Sequence, residues 1–381
     1  MIIFFYISLL VLIGYGFLID YYRRSWTAMP DFKLNLSANK GLTKKVTVII
    51  PARNEEKNIS RCLESLVNQS YPKEFIEIIV VNDHSTDQTA WMVSNFQASN
   101  IRLINLADEP SFTVLNSYKK KALEIAINAA SGEWIMTTDA DCACPPDWIS
   151  TMISQQVQEN AALIAAPVRI LDNHSLLSVF QTLDFISLQG ITGAAVYKHI
   201  HAMCNGANLG YAKKAFQLVD GFKGIDHIAS GDDMLLMHKI SQKFPKQIFF
   251  LKSTAAIVDT RPVENWKDFI NQRIRWASKS THYQDQSITQ SLVLVFILNL
   301  IMLCMLISGF WNIKFLLFFL IMVVIKTIFE FPFVYSVAGF FGQRRLMKYF
   351  FFLQPLHIFY TVIAGSLGKW GSYKWKGRKI K

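Results

Sequence analysis

Long apolar runs at both ends enclose a polar, motif-rich middle, and that layout limits what the chain can fold into more than any other feature. Ile2 to Ile19 is uncharged and apolar, and roughly 20 such residues cross a bilayer as a helix. A secretory signal peptide is the competing reading. It fails because no basic residue precedes the run and no small-residue cleavage site follows it, only Asp20-Tyr21-Tyr22-Arg23-Arg24. Arg23 and Arg24 beside tyrosines suit a cytoplasmic interface anchor, so residues 1–24 read as a transmembrane anchor and the following domain as cytosolic.

The second apolar block starts near Ser291. Ser291 to Trp311 reads as one span, Phe315 to Val337 as a second carrying Lys326, Glu330 and Pro332, and Tyr349 to Leu367 as a third interrupted by Gln354, Pro355 and His357. Together they make a membrane region over residues 287–368. The basic stretch Gln343-Arg344-Arg345-Leu346-Met347-Lys348 and the basic tail 369–381 should both lie inside. Three full crossings would leave the tail outside, so the Pro355 segment is expected to be re-entrant or interfacial. The reading is an integral protein of an inner or plasma membrane with a cytosolic middle.

Hydrophobic residues make up 51% of the chain and the net charge is +11. A nucleic-acid binder would carry a basic, aromatic-interleaved patch on its soluble part. Here the excess is largely juxtamembrane, which suits a lipid bilayer and excludes nucleic acid as the expected partner. The five cysteines, at 62, 142, 144, 204 and 304, form no C-x-x-C pair and read as reduced thiols.

Between the membrane parts, apolar runs alternate with amphipathic helical patterns, the mark of an α/β fold with a mostly parallel sheet. Val46 to Ile50 is a buried-type strand ending at Pro51-Ala52-Arg53-Asn54-Glu55-Glu56, followed by Ile59, Cys62, Leu63, Leu66 and Val67 at helical spacing. Ile76 to Val81 ends in Asn82-Asp83-His84-Ser85-Thr86-Asp87, with a helix from about Gln88. Tyr118-Lys119-Lys120-Lys121-Ala122-Leu123 opens another helix. Glu133 to Thr138 is an extended run ending at Asp139-Ala140-Asp141. Residues two apart on extended backbone share a face, so Asp139 and Asp141 would point the same way. Hard oxygen ligands suit Mg²⁺ or Mn²⁺. In open parallel sheets, ligands bind outside the carboxyl ends of the strands. A polar loop, an isolated acid, a basic helix start and a carboxylate pair on one rim describe a nucleotide site.

Pro51-Ala52-Arg53-Asn54-Glu55, Val81 to Asp87, Asp139-Ala140-Asp141, Gly231-Asp232-Asp233 and Gln272-Arg273-Ile274-Arg275-Trp276 resemble, in order and spacing, the motif set of family 2 glycosyltransferases with a GT-A fold. The pattern is similar to the membrane-bound Q-x-x-R-W subgroup, which includes hyaluronan, chitin, cellulose and poly-N-acetylglucosamine synthases and ceramide glucosyltransferases. The resemblance implies a GT-A domain over residues 44–260, a helix bearing Q-x-x-R-W within 261–286, and inverting transfer from a nucleotide sugar, usually UDP-linked. It implies that Pro51, Asn54 and Glu55 line the uridine end and Asp83 the base or ribose. Lys119 would bind the diphosphate, although Tyr118 stands where glycine is common; a solvated helix start is the plainer reading of that lysine. Asp139 would meet ribose or metal, and Asp141 the metal directly.

Inverting displacement also needs a general base. The resemblance points to Asp233, supported by Asp232, and two adjacent carboxylates would raise at least one pKa by repulsion. Adjacent acids at a helix start are also ordinary caps. Gln272, Arg275 and Trp276 would lie on a membrane-surface helix, Arg275 reaching the diphosphate and Trp276 stacking on the acceptor sugar. Asn205 to Asn208 and Gln181 to Gln189, with Asp184, are expected on the acceptor side. His227 and His238 have no partner at ligand spacing and read as solvated or packed.

Three functions remain open: transfer to a lipid or lipid-linked acceptor, a processive polysaccharide synthase acting on a glycan, and an inactive sugar-nucleotide scaffold. The small membrane part favours the first. No motif is visibly broken, which disfavours the last.

Overall fold

Val46-Thr47-Val48-Ile49-Ile50 is β-branched throughout, and such side chains favour pleated backbone. In the computed structural model it opens strand β1 (Val46–Ala52), all but one of whose residues are buried. The structure describes residues 2–34, 43–108, 117–228, 230–279, 283, 285–370, 373–375 and 378–380, with side chains to 368; the side chains of the expected basic tail, 369–381, therefore lie outside the description. The other strands are β2 (Ile76–Asn82), β3 (Ile101–Asn105), β4 (Trp134–Thr137), β5 (Leu163–Ala165), β6 (Val168–Ile170), β7 (Leu209–Ala212), β8 (Ile248–Phe250), β9 (Val258–Thr260), β10 (Tyr373–Trp375) and β11 (Arg378–Ile380). The helices are α1 (Ile2–Ala28), α2 (Ile59–Val67), α3 (Thr89–Ser94), α4 (Tyr118–Ala129), α5 (Trp148–Glu159), α6 (Leu176–Tyr197), α7 (Lys213–Leu218), α8 (Met234–Lys243), α9 (Trp266–Ala277), α10 (Gln286–Ser308), α11 (Ile313–Phe340) and α12 (Phe350–Trp370).

The main sheet runs β3-β2-β1-β4-β7-β5-β8. β1, β2, β3 and β4 pair in parallel, while β7 is antiparallel to both β4 and β5. β6 and β9 form a separate parallel pair. Alternation along the strands splits the core by face. Val48, Ile50, Ile78, Val80 and Met136 pack with Leu63 and Leu66 of α2 and Ile149 of α5. Ile49, Ile79, Val81 and Ile135 pack with Leu123 and Ile127 of α4, in a core continuous with the apolar helices.

Pro51 sits inside β1, where a missing N–H normally costs a ladder bond. Ile49 points its carbonyl towards the exit of β4, accepting Thr138 N at 3.3 Å. Pro51, two residues on, faces the same side, beyond the last β1–β4 pair at Ile49. The proline thus marks where the sheet opens into a rim.

Among the described residues, four helices are long and apolar enough to cross a membrane: Ile2–Ala28, Gln286–Ser308, Ile313–Phe340 and Arg344–Gly368. Two sequence expectations change here. The first helix runs past Arg24 to Ala28, with Arg23 and Arg24 paired to Asp20 at 2.7 and 2.6 Å. The segment around Pro355 is not interrupted: α12 is continuous, because Pro355 lies near its start and only the carbonyl of Phe351 loses its helical partner. Lys326 and Glu330 are not loose charges. Lys326 Nζ lies 2.7 Å from Glu330 Oε1 and donates to Gln354 Oε1 at 2.6 Å; Gln354 Nε2 donates to Glu330 Oε2 at 2.6 Å, and Tyr15 Oη donates to Glu330. Charges in an apolar bundle persist when paired in this way.

α6 joins the sheet domain to these helices. Its N-terminus is capped by Ser175, whose side chain accepts from Ser178 N. A Cβ on Gly190 would meet Val337 at 2.5 Å, and one on Gly193 would meet Trp26 at 2.9 Å, so glycine is what allows α11 and α1 this close. At the end of α1, buried Lys252 donates to the carbonyls of Trp26 and Met29 at 3.1 and 2.8 Å, a cation on a helix C-terminus.

Candidate active site

The exits of β1 and β2 are knitted together by the polar residues that follow them. Asn54 and His84 both take left-handed backbone, φ +52° in each case, a region that Asn and His tolerate better than most residues. Asn54 Oδ1 accepts Thr86 N at 2.8 Å, Asn54 N donates to Ser85 Oγ at 3.0 Å, and Glu55 N donates to Thr89 Oγ1 at 2.7 Å. Arg53 donates to the carbonyls of Asp83 and His84 at 2.8 and 3.1 Å. Asp83 is buried, 3.0 Å from His84 Nδ1, and the His84 ring packs edge-on against Tyr118 at 6.1 Å. Pro51, Asn54, Glu55 and Asp83 therefore share one wall, which reaches the start of α4.

At the exit of β4 the backbone departs from expectation. Asp139-Ala140-Asp141-Cys142 is a turn, closed by Cys142 N donating to Asp139 O at 3.0 Å, so the two acids do not share a face through extended geometry. Ala140 is buried and both acids are half-exposed. Cys62, Cys142 and Cys144 are buried free thiols. Burial pushes all three thiol pKa values up, that of Cys144 to about 12, so they are protonated packing groups. No cluster of three His, Cys, Asp or Glu with metal-binding geometry occurs among the described residues. Asp139 and Asp141 are half-exposed at this turn and supply hard carboxylate oxygens, the donor type that Mg²⁺ or Mn²⁺ prefers.

Lys119, at the first turn of α4, ties this turn to the far side. Its Nζ lies 3.0 Å from Asp139 Oδ1 and 3.3 Å from Asp232 Oδ2. Burial alone would depress its pKa, but Asp139, then Asp232 and Asp233, outweigh burial and hold the ammonium above its ordinary range. The solvated-lysine reading is thereby replaced.

Asp233 is the N-cap of α8. Its Oδ1 accepts Met234 N at 2.7 Å and meets Lys279 Nζ at 3.3 Å; its Oδ2 accepts Gly206 N at 3.1 Å. The cap reading holds for this residue. Repulsion between the adjacent acids does not raise its pKa as expected. Burial works upward, but Lys279 and Lys119 hold the Asp233 carboxyl below the usual carboxylate range. Gly206 O in turn accepts Thr137 Oγ1 at 2.7 Å, which fastens the Asn205–Asn208 loop to the end of β4.

The rest of that loop and α6 serve differently from expectation. Asn208 is buried, accepting from Trp148 Nε1 and donating to the carbonyls of Pro167 and Ala256, each at 2.8 Å. Gln181 braces Val263, Gln189 accepts Val168 N, and Asp184 pairs with Arg273 at 2.7 Å. Buried polar groups need partners, and these have found theirs within the scaffold instead of facing an acceptor.

α9 also departs from a plain surface helix. Phe269 packs edge-on against Phe180 of α6 and Tyr360 of α12 at 5.5 and 5.4 Å, and Ile274 packs on Ala364. Its apolar stripe is thus covered by protein, with Trp266 left 42% exposed. Arg273, not Arg275, is the buried arginine: its guanidinium lies over Phe269 and Trp276 at 4.5 and 4.2 Å and donates to Asp184 and to Gln272 Oε1. Trp276 and Arg275 are half-buried, Trp276 packing against Phe185 at 5.8 Å. Lys279 was missed by the motifs, yet 272, 275, 276 and 279 follow helical i, i+3, i+4, i+7 spacing, the signal that could have found it. His238 is packed, its Nε2 3.0 Å from Ala202 O, and His227 is exposed.

A family model described as glycosyl transferase family 2 matches residues 47–218. A second, glycosyl transferase family group 2, matches residues 134–337, more than half of the 381-residue chain. The chain belongs to glycosyl transferase family 2. This family 2 chain is 29% identical over 238 residues to the probable glycosyltransferase YdaM of Bacillus subtilis (strain 168), a match covering 61% of this chain and 54% of that one. It is 34% identical over 124 residues to the 4,4'-diaponeurosporenoate glycosyltransferase of Staphylococcus aureus (strain bovine RF122 / ET3-1), covering 32% and 31% respectively. The family 2 chain thus spans about half or less of the length of these curated relatives. Its fold matches that of the mannosyltransferase PcManGT from Pyrobaculum calidifontis, solved with GDP-Man and Mn²⁺, at TM-score 0.59 and 17% identity, covering 96% of this chain and 99% of that one. The mixed, mostly parallel α/β sheet is therefore a GT-A fold.

Proposed function

We propose that the protein is a membrane-bound inverting glycosyltransferase that moves a sugar from a UDP-linked donor to a lipid or lipid-linked acceptor. The observation that carries this reading is Lys119, held between Asp139 of the donor-side turn and Asp232 of the acceptor-side loop. One cation joins the two halves that a sugar transfer must bring together. In this reading Pro51, Asn54, Glu55 and Asp83 take the nucleoside, and Lys119 and Arg275 take the diphosphate. Gln272 and Trp276 flank the acceptor. Asp139 and Asp141 would hold Mg²⁺ or Mn²⁺, which when bound supplies neutralisation of the leaving diphosphate.

The acceptor hydroxyl oxygen bonds to the anomeric carbon as the bond from that carbon to the diphosphate oxygen breaks. The electron pair leaves with UDP, and the hydroxyl proton passes to Asp233, supported by Asp232. Lys279 covers Asp233 Oδ1. A bound diphosphate is a stronger counter-charge for Lys119 and Lys279, so donor binding would uncover the base.

The arrangement of α12 bears on orientation. Arg345, just before it, lies 3.4 Å from Asp172 of the sheet domain. At its far end a Cβ on Gly368 would meet Ala277 of α9 at 2.6 Å. Both ends touch the catalytic unit, which supports an interfacial α12, three crossings by α1, α10 and α11, and a cytosolic tail that agrees with its positive charge. Incubating membranes with radiolabelled UDP-sugars and Mn²⁺ and separating extractable lipid from polymer tests the function. Label in lipid is expected; label only in polymer would indicate a processive synthase, and none would leave an inactive scaffold.

A further inference from the structure

Lys120 follows the family-matched lysine and faces elsewhere. It is 2% exposed, and its Nζ donates to the backbone carbonyl of Ser230 at 2.9 Å and to that of Ile228. No carboxylate lies within ion-pair distance of it among the described residues; its charge is met by two carbonyls and by the field of Asp232 and Asp233. Burial lowers its pKa to about 8, against the pull of those two acids. A buried ammonium with backbone acceptors is costly to keep, and methionine of similar length would fill the same space without that cost.

What the ammonium holds explains its presence. Immediately after Ser230, Gly231 takes left-handed backbone at φ +81°. The chain then delivers Asp232 to Lys119 and Asp233 to the N-cap of α8. The first turn of α4 therefore grips this loop twice: Lys119 by a side-chain carboxylate, Lys120 by the backbone just before it. Lys119 also touches Asp139 on the donor side, so the grip sets the separation between donor and base.

We propose that Lys120 is a positioning residue that pins the Gly231–Asp233 loop to the donor side of the site, fixing where the acceptor-side carboxylates stand. This rests on the glycosyltransferase reading but acts through backbone placement, not contact with substrate. Losing Lys120 leaves the donor site intact and misplaces the base, and a displacement of about 1 Å in such a group costs about 10²-fold in rate.

The test uses the full chain in detergent micelles, comparing wild type with Lys120→Met and Lys120→Arg, and with Lys121→Met as the control from the half-exposed neighbour paired with Glu124. Three readouts are taken: UDP affinity with Mn²⁺, UDP release from a panel of UDP-sugars with membrane lipid extract, and amide exchange. Lys120→Met should bind UDP within about twofold of wild type and lose about 10²-fold in kcat at unchanged donor KM. Its Ser230–Met234 amides should exchange about tenfold faster or more, with the β1–β4 amides unchanged. Lys120→Arg, which keeps two donors, should recover most of the protection. Unchanged exchange at Ser230–Met234 in Lys120→Met, or a loss of UDP affinity parallel to the loss of kcat, would overturn the proposal. Absence of turnover in wild type, with the exchange difference present, would instead count against sugar transfer and leave the pinning role standing.

Discussion

Asp233 caps α8 and is also the proposed base, and the two demands pull on one another. As the cap of α8 and the partner of Lys279 it is held as a stable anion, whereas a base must be free to accept a proton. Its depressed pKa stabilises the fold at neutral pH. That contribution is fully present above the ordinary aspartate value of about 3.9 and is lost as pH falls through the lower folded value. Lys279→Met removes the main depressing charge, so the acid limb of kcat/KM against pH should move to higher pH in that variant; an unmoved limb would mean that Lys279 does not govern the base. On the donor side, Asp141→Ala should weaken UDP binding roughly tenfold or more in Mn²⁺ and leave metal-free binding unchanged, measured by titration calorimetry. Equal affinity with metal would exclude Asp141 as a ligand. The motif residues were legible from their order; Lys279 was missed, although its helical spacing from Gln272 carries the signal. Asn208 and Gln181 were not, because a buried brace and a substrate contact use the same polar side chains and differ only in what the fold places opposite them.

Among the elements, α9 shows how far a pattern can be read. Trp266, Phe269, Ile270 and Trp276 form its amphipathic stripe, but a stripe does not say what covers it. Here α6 and α12 do, drawn together by the Asp184–Arg273 pair and by Tyr360 Oη donating to Asp184. Removing one partner of a buried ion pair costs about 3–5 kcal/mol, while replacing both by apolar groups is often neutral. Arg273→Met alone should therefore lower the unfolding midpoint in detergent clearly, and Asp184→Leu with Arg273→Met should recover most of the loss. A single variant as stable as wild type would show that the pair does not lock α9. The parallel strands were readable from their β-branched runs and acidic exits. The antiparallel β7 was not, because Leu209-Gly210-Tyr211-Ala212 is short and carries no direction; nor was the turn at Asp139, whose geometry is set by the Cys142 N–H and not by propensity.

For the whole molecule, the apolar ends announce four helices of spanning length, and the basic tail 369–381 already conflicts with three C-terminal crossings on charge alone. The contacts at both ends of α12 favour the proposed interfacial placement, which hydropathy alone does not address, since it does not tell a helix in the bilayer from one lying along a domain. A reporter enzyme fused after Lys381 should be active on the cytosolic side, and activity only on the outer face would remove the interfacial reading of α12. The joined rim carries the central proposal: acids after β4 and at the start of α8, gathered by Lys119 and Lys279 beside the wall that holds Asp83, would perform sugar transfer from a nucleotide donor. The most direct measurement sets wild type beside Asp233→Asn in membranes given UDP-sugars and Mn²⁺, with UDP affinity taken in parallel. Transfer should be abolished in the variant while UDP binds within about twofold of wild type; full turnover by Asp233→Asn would contradict the assignment of the base and the rim built around it.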